Sequence, residues 1–206
     1  CYKDNFADFT DEASLLESQK CDIQIIESIN TNIKITNEKD LELAKQLLSN
    51  NITAMGIDFH SLVPGKHLIV GGHKIDCAFS SKAHSDGDVL THAIIDALLG
   101  ALNLGDIGEH FPNTPEYLNV SSVELLKKIV EKIPNNQKIL YVDTSIVLNE
   151  PKISPHKKAM KKSLASVLGI NTDQISIKST TTNGLQFIDM SSGWGAQAII
   201  SLGNDI

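Results

Sequence analysis

Three residues in this sequence have the types and spacing of a metal site. Asp58 and His60 stand two positions apart in the segment GIDFH, so on a β-strand both side chains project from the same face. His92 follows in a segment whose other residues are mostly apolar. Asp58, His60 and His92 together supply one oxygen and two nitrogens, the donor set of a catalytic zinc that keeps its fourth position open. Taken singly, Asp-x-His also suits a polar strand face, and His92 also suits a hydrogen-bonded core histidine.

The segment AHSDGDVLTH, residues 83–92, leads into the apolar helix that is predicted over residues 86–102. Ser85 and Asp88 have the S-x-x-D spacing of a capping box, and free N–H groups at a helix start favour an anion. Ser85 is therefore either a cap alone or a phosphate contact as well. Asp88, His92 and Asp96 follow at i, i+4 and i+8, so they form one polar stripe on the helix. We expect Asp96 to orient a metal ligand from behind.

Two further segments carry polar groups whose role the spacing leaves open. Asp106 lies between Gly105 and Gly108, where it is either a turn former or an acceptor for substrate hydroxyls. Thr180, Thr181 and Thr182 precede an Asn-Gly turn. Their hydroxyl and backbone N–H groups could bind a phosphate, but threonine is also common in ordinary strands.

The elements predicted from hydrophobic periodicity alternate between helices and strands. A helix over residues 9–19, two short strands in CDIQIIES and NIKIT, and a helix TNEKDLELAKQLL capped by Thr36 or Asn37 form a first block. The strands MGIDFHSL, HLIVGGHKID, KILYVDTSIVL, QISIKST and GAQAIISL follow, interleaved with helices in 86–102, SSVELLKKIVEKI and PHKKAMKKSLASVLG. This order predicts an α/β or α+β fold, a mixed β-sheet with helices packed on one face. We place the domain boundary between residues 1–51 and residues 52–206.

The composition excludes few classes of protein. The chain has 206 residues, is 41% hydrophobic and carries a formal charge of −7, which argues against a general nucleic-acid surface. Cys1, Cys21 and Cys77 form no CxxC pair, and no apolar run reaches the length of a membrane span. We therefore expect a cytoplasmic protein that binds neither nucleic acid nor membrane. Because the first residue is Cys1 and not Met, we also expect a piece of a longer protein.

Four motifs in order, GIDFH, AHSDGDVLTHAIIDALLGALNLGDIG, NEPKISPH and KSTTT, resemble the 2-C-methyl-D-erythritol 2,4-cyclodiphosphate synthase family of non-mevalonate isoprenoid biosynthesis. The resemblance runs from about residue 54 to residue 202. It implies a lyase that cyclises 4-diphosphocytidyl-2-C-methyl-D-erythritol 2-phosphate and releases CMP. It also implies a homotrimer with active sites between subunits, each with Zn²⁺ and a second ion, Mg²⁺ or Mn²⁺.

The same resemblance implies roles for individual residues. Asp58, His60 and His92 match the zinc ligands, and His84, Ser85 and Thr181 match positions that contact the reacting phosphates. The matched substrate-binding positions are Asp106, Gly108, Pro151, Lys152, Ile153, Thr180, Thr181 and Phe187. Asn183 stands where the family commonly has the glutamate of the second metal, and Met190 and Ser192 stand where many members carry Arg and Glu in the central cavity of the trimer.

The first block has a resemblance of its own. FTDEASLLE and NIKITNEKDLELAKQLL are similar to the C-terminal end of the cytidylyltransferase that makes the diphosphocytidyl intermediate. This implies that residues 1–51 are a remnant without activity and that Lys34, which matches a nucleotide-contacting lysine, has no function here.

Two alternative functions remain open: a zinc-dependent hydrolase, which would need a base such as the glutamate of H-E-x-x-H, and an inactivated nucleotide-binding relative.

Overall fold

The computed structural model describes residues 12–24, 33–48, 51–183 and 193–204. Contacts divide the chain into two units, Cys1–Leu48 and Ser49–Ile206. Within the described ranges, none of the helices combines the length and the apolar character that crossing a membrane requires.

The described residues of the first unit form two helices, α1 (Glu12–Ser18) and α2 (Glu38–Leu48). Asn37 is the cap of α2, as predicted, because its Oδ1 accepts from the Asp40 backbone N–H at 3.1 Å. The predicted strands are wrong for residues 21–24 and 33–36, which lie in neither helix nor strand. Alternation describes only the faces of a segment, and a strand also needs a neighbour for its backbone groups. The rest of both predicted strands and residues 9–11 of the predicted first helix lie outside the described residues.

The described residues of the second unit form seven strands, of which five make up one mixed sheet. The strands are β1 (Ile52–Pro64), β2 (His67–Val70), β3 (His73–Asp76), β4 (Phe79–Lys82), β5 (Gln137–Val147), β6 (Ile175–Thr180) and β7 (Gly193–Asn204). The sheet order is β4-β1-β7-β5-β6, with β5 and β6 parallel and the other pairs antiparallel. The predicted mixed sheet is therefore confirmed.

The segment HLIVGGHKID is a hairpin and not the single strand that its pattern suggested. β2 and β3 pair antiparallel with each other. Gly71 and Gly72 connect them with φ angles of 59° and 69°. A turn with two positive φ angles reverses the chain at little steric cost when both residues are glycine.

The helices of the second unit pack on one face of the sheet, as predicted. They are α3 (Val89–Ala101), α4 (Ile107–His110), α5 (Ser122–Val130) and α6 (Lys157–Leu168). α3 lies directly on β1 and β7, and a Cβ at Gly56 would collide with the backbone of α3 at Ala93 and Ala97. Buried side chains such as Trp194 and Leu98 fill the space between the sheet and the helices. Glycine in β1 thus brings α3 close to the strand that carries Asp58 and His60.

The helix start differs from the predicted capping box. α3 begins at Val89, and its cap is Asp88, which accepts from the Thr91 N–H at 3.0 Å. Asp88 also accepts from the N–H groups of Gly71 and Gly72 at 2.9 and 2.7 Å. The residue before the cap, Gly87, has a φ of 71°, which keeps the chain out of helical geometry until Asp88. Ser85 is therefore not the cap, and Asp88 is a buried structural group.

The opposite face of the sheet exposes large apolar side chains. Met55, Ile57 and Phe59 alternate along β1 with the residues that face α3, and they are 58%, 49% and 52% exposed. Tyr141 and Ile199 from β5 and β7 are also exposed. Single exposed apolar residues are ordinary, but several on adjacent strands of one sheet mark an interaction surface.

Candidate metal centre and substrate clefts

Asp58, His60 and His92 meet as the sequence predicted. Strand β1 projects Asp58 and His60 towards α3, and α3 presents His92. Asp58 Oδ2 lies 3.2 Å from His60 Nε2 and 3.0 Å from His92 Nδ1. One donor atom from each residue lies within 4.8 Å of the other two, so the three can bind one ion.

This donor set fits a zinc ion. Ligand atoms at about 2.0–2.2 Å from a tetrahedral zinc lie about 3.3 Å from one another, close to the separations from Asp58 Oδ2. Three protein ligands also leave one position for a substrate oxygen. His60 Nδ1 is buried, and among the described residues it has no hydrogen-bond partner. It is the ring nitrogen that points away from the position where the three donor atoms meet.

The electrostatics of the three residues also favour a cation between them. Burial acts to raise the pKa of Asp58, but hydrogen bonds from His60 and His92 outweigh it and lower that pKa to about 2. Burial acts to lower the pKa of His92, but its hydrogen bond to Asp58 and the negative charges of Asp58, Asp88 and Asp86 together outweigh burial and raise that pKa. The carboxylate is thus stabilised by positive charge beside it, which protons or a metal ion can supply.

The far side of His92 carries two residues that the sequence reasoning missed. His92 Nε2 lies 2.9 Å from Ser122 Oγ, at the first turn of α5. The Ser122 hydroxyl and backbone N–H both donate to Asp86. Asp86 lies in the segment AHSDGDVLTH, but nothing in the sequence indicates that Ser122 contacts it.

The predicted phosphate-contacting residues lie at the edge of this centre. Ser85 Oγ accepts from the Gly87 N–H at 3.3 Å and lies 3.2 Å from His92 Nε2. His84 Nε2 donates to the Thr114 carbonyl oxygen at 2.7 Å. Both residues line a cleft of about 390 Å³ that also contains Asp58, His60 and His92.

The α4 turn closes the other side of this cleft, which Gly108 lines. Asp106 caps α4 by accepting from the Glu109 N–H at 3.0 Å. Asp96 was expected to orient a metal ligand, but it instead accepts from the Ile107 N–H at 2.8 Å. Asp96 therefore connects α3 to the α4 turn. Its place one turn beyond His92 brings its carboxylate to the turn rather than to the ligands.

The remaining substrate-binding predictions fall in other clefts. Pro151, Lys152, Ile153, Thr180 and Thr181 line a space of about 230 Å³ at the ends of β5 and β6. Lys152 and Thr181 also line a neighbouring space of about 430 Å³. Among the described residues, neither space shares a lining residue with the metal cleft. β6 is three strands from β1 in the sheet, a separation of about 14 Å.

The position predicted for a second metal is described in part. Asn183 has a φ of 51°, and its Oδ1 accepts from the Thr181 hydroxyl at 2.8 Å. The neighbouring Thr182 is buried, and among the described residues its hydroxyl has no partner. The predicted residues Phe187, Met190 and Ser192 lie outside the described residues.

Comparison with known sequences identifies relatives over most of the chain. The model of the YgbB family matches residues 52–203. A 2-C-methyl-D-erythritol 2,4-cyclodiphosphate synthase from Alkaliphilus metalliredigens is 45% identical over 154 residues, which are 74% of this chain and 97% of the relative. A bifunctional enzyme IspD/IspF from Desulfotalea psychrophila is 36% identical over 98% of this chain. The chain spans 55% of the length of that relative.

Solved structures with the same fold cover similar shares of this chain. The bifunctional IspDF of Campylobacter jejuni has a TM-score of 0.72 and 32% identity, over 98% of this chain and 56% of that one. A CDP complex of IspF from Plasmodium falciparum has a TM-score of 0.65 and 34% identity, over 74% of this chain and 96% of that one.

Proposed function

Because the chain belongs to the YgbB family, we propose that it cyclises 4-diphosphocytidyl-2-C-methyl-D-erythritol 2-phosphate to 2-C-methyl-D-erythritol 2,4-cyclodiphosphate and CMP. The observation that carries the proposal is the meeting of Asp58, His60 and His92 in a cleft with Ser85 and Gly108. The CDP complex of a related structure supports a substrate that carries cytidine diphosphate.

The reaction requires one bond to form and one to break at phosphorus. An oxygen of the 2-phosphate attacks the β-phosphorus of the diphosphate, and the bond from that phosphorus to the CMP oxygen breaks, so that CMP leaves with the electron pair. Since the attacking oxygen is already an anion, the protein needs no general base. Its residues act by positioning the two phosphates and by stabilising their charge.

Asp58, His60 and His92 would hold Zn²⁺. When bound, such an ion supplies positive charge to phosphate oxygens. The Ser85 hydroxyl lies beside His92 and is placed to donate to an oxygen of the bound phosphate. We propose that His84 contacts the same phosphates, that Asp106 and Gly108 contact the erythritol, and that Asn183 contributes to a second site for Mg²⁺ or Mn²⁺.

We further propose that the active molecule is a homotrimer. In the part of one chain that the structure describes, the metal cleft and the cleft of Lys152, Ile153 and Thr181 share no lining residue, yet one substrate has to contact both sets of residues. The exposed apolar face of the sheet, with Met55, Ile57 and Phe59, offers a surface for other copies. Joining copies there would bring the cytidine-binding groups of one subunit to the metal cleft of the next, with Pro151 and Phe187 in the same pocket and Thr180 on the diphosphate.

The proposed reaction is tested by mixing purified protein, zinc and magnesium with the diphosphocytidyl substrate and following phosphorus NMR. We expect equal amounts of CMP and cyclic diphosphate. Release of CMP with a linear product would indicate the alternative zinc hydrolase, for which the sequence has no H-E-x-x-H motif. Binding without any product would indicate an inactive nucleotide-binding relative.

Residues 1–51 are proposed to be the end of a cytidylyltransferase domain, in which Lys34 has no catalytic role. The match of 98% of this chain to a bifunctional relative and the separate unit Cys1–Leu48 support this assignment. Deleting residues 1–51 should leave CMP release unchanged, and a folded but inactive deletion variant would contradict this assignment.

The free thiols of Cys21 and Cys77 support a reducing, cytoplasmic location.

A further inference from the structure

The two ring nitrogens of His92 face different groups. Nδ1 lies 3.0 Å from Asp58 Oδ2, at the proposed metal position. Nε2 lies 2.9 Å from Ser122 Oγ and 3.2 Å from Ser85 Oγ. Ser122 is fully buried, with 0% of its surface exposed, so bulk water does not compete for its hydroxyl. The direction of the bond between His92 and Ser122 therefore decides which nitrogen carries hydrogen.

Asp86 receives both polar hydrogens of Ser122. The backbone N–H of Ser122 donates to Asp86 Oδ2 at 2.9 Å, and the hydroxyl donates to Asp86 Oδ1 in a short contact. Asp86 Oδ1 also accepts from the Asp88 N–H at 3.2 Å. A carboxylate only accepts, and a serine hydroxyl has a single hydrogen. The hydrogen of Ser122 is thus committed to Asp86.

Towards His92, the Ser122 oxygen can then only accept, so His92 Nε2 has to donate. A neutral imidazole carries hydrogen on one nitrogen alone, which leaves the lone pair on Nδ1. That lone pair faces Asp58 Oδ2 at 3.0 Å, and two acceptors at this distance are stable only with a cation or a proton between them.

We propose that Asp86 and Ser122 are positioning residues that hold the Nε2–H tautomer of His92 and so direct Nδ1 to the metal. The inference rests on the proposed metal-dependent function. It assigns a role to two residues that the metal would not touch. The same tautomer leaves the hydroxyl hydrogen of Ser85 unused. Ser85 Oγ accepts from the Gly87 N–H and lies beside His92 Nε2, which donates in this tautomer and so cannot accept. That hydrogen is then available to a phosphate oxygen in the cleft.

The tautomer is measured on the unaltered protein, labelled with ¹⁵N-histidine and loaded with zinc alone. A long-range proton–nitrogen correlation spectrum should show His92 protonated at Nε2, with Nδ1 bound to metal. The opposite pattern would overturn the proposal. A protein that bound no zinc at all would overturn the metal assignment on which the proposal rests, so the two failures are distinguishable.

The contribution of the pair to affinity is measured by competition between the protein and a chromophoric zinc chelator. Ser122→Ala should raise the zinc Kd about 10- to 100-fold, the usual cost of losing a partner behind a ligand. Ser122→Thr retains the hydroxyl and should bind zinc within about 3-fold of the original protein, well below the loss expected for Ser122→Ala. Ser121→Ala is the matched control, because Ser121 is exposed and makes no side-chain cap bond.

Metal-free unfolding of each variant is measured in parallel, so that a loss of stability is not mistaken for a loss of affinity. A folded Ser122→Ala protein with unchanged zinc affinity would show that the contact is only structural and would overturn the proposal. If Ser122→Ala does not fold, the tautomer observed in the unaltered protein decides the question.

Discussion

At the scale of single residues, the proposed zinc binding depends on which nitrogen of His92 carries hydrogen. Asp58 and His60 come from adjacent positions on one strand face, whereas His92 comes from a buried helix and is only 7% exposed. A buried imidazole needs a partner for each nitrogen. Asp58 and Ser122 provide those partners, and the proposed ion would lie between Asp58 and His92.

Replacing His92 with Ala should abolish zinc binding while the protein remains folded. The loss should exceed the about 10- to 100-fold cost of changes behind a ligand, because one of three donor atoms is removed. Equilibrium dialysis with zinc measures the bound metal, and circular dichroism checks the fold. His67→Ala, on β2 outside the site, is the control and should keep its zinc. Full zinc occupancy in His92→Ala would show that the metal lies elsewhere.

Replacing Asn183 with Glu should lower the magnesium concentration needed for CMP release. An amide oxygen can coordinate a hard cation, but it supplies no negative charge, whereas a carboxylate does. A magnesium titration at fixed zinc compares the two proteins, with Asn135→Glu at the turn before β5 as the control. An unchanged or higher magnesium requirement in Asn183→Glu would mean that residue 183 does not contact the second metal.

At the scale of elements, the carboxylates of Asp88 and Asp96 connect α3 to two neighbouring segments, the Gly71–Gly72 turn and the α4 turn that borders the metal cleft. Asp88, at its start, accepts from the Gly71–Gly72 turn. Asp96, further along, accepts from the Ile107 N–H of α4. The helix thus fixes the hairpin at one end and the Asp106 turn at the other. Both carboxylates were read from the sequence as part of one polar stripe, but each has a separate structural partner.

Replacing Asp96 with Asn should stabilise the metal-free protein more at about pH 7 than at about pH 4. Burial raises the pKa of Asp96, repulsion from Asp106 and Asp58 adds to this, and the bond from Ile107 opposes it. Because the folded pKa lies above the unfolded value of 3.8, the free energy of unfolding falls as pH rises between the two values. Asparagine retains an oxygen acceptor for Ile107 but does not ionise.

Urea denaturation in the presence of a metal chelator measures this difference at both pH values. Asp76→Asn is the matched control, because the side chain of Asp76 is 85% exposed. A difference between Asp96→Asn and the original protein that is the same at both pH values would contradict the predicted linkage.

At the scale of the whole molecule, the two parts of the proposed substrate site lie in separate clefts of one chain. The residues proposed to bind zinc and phosphate lie near β1 and α3, and those proposed to bind cytidine lie near the ends of β5 and β6. The exposed apolar residues occupy the sheet face opposite the helices. Both features have a single explanation if three copies assemble through that face.

Light scattering of the original protein should give a mass about three times the 22.4 kDa of one chain. Ile57→Glu should give single chains that still bind zinc, because all three ligands come from one chain. CMP release should fall about 100-fold or more, since misplaced groups lose positioning. Leu118→Glu, an exposed apolar residue outside the sheet, is the control and should remain a trimer. A fully active monomer would refute the shared site.

The sequence by itself determined the three donor residues of the candidate metal site and most of the helices and strands. Asp-x-His on a strand and His92 on an apolar helix follow from periods of two and about 3.6 residues, which are local properties. The mixed sheet and the helix layer follow from the order of the same patterns.

Only the tertiary structure decided the groups around that site. Ser122 reaches His92 from 30 positions along the chain, and Asp88 reaches Gly71 from 17. Partners at such separations depend on how the elements pack, which local periodicity does not encode. For the same reason the sequence pattern predicts Ser85 as a helix cap and Asp96 as a support of the metal ligands, whereas the structure gives both residues other partners. A buried polar group bonds to whichever partner the packing brings within reach.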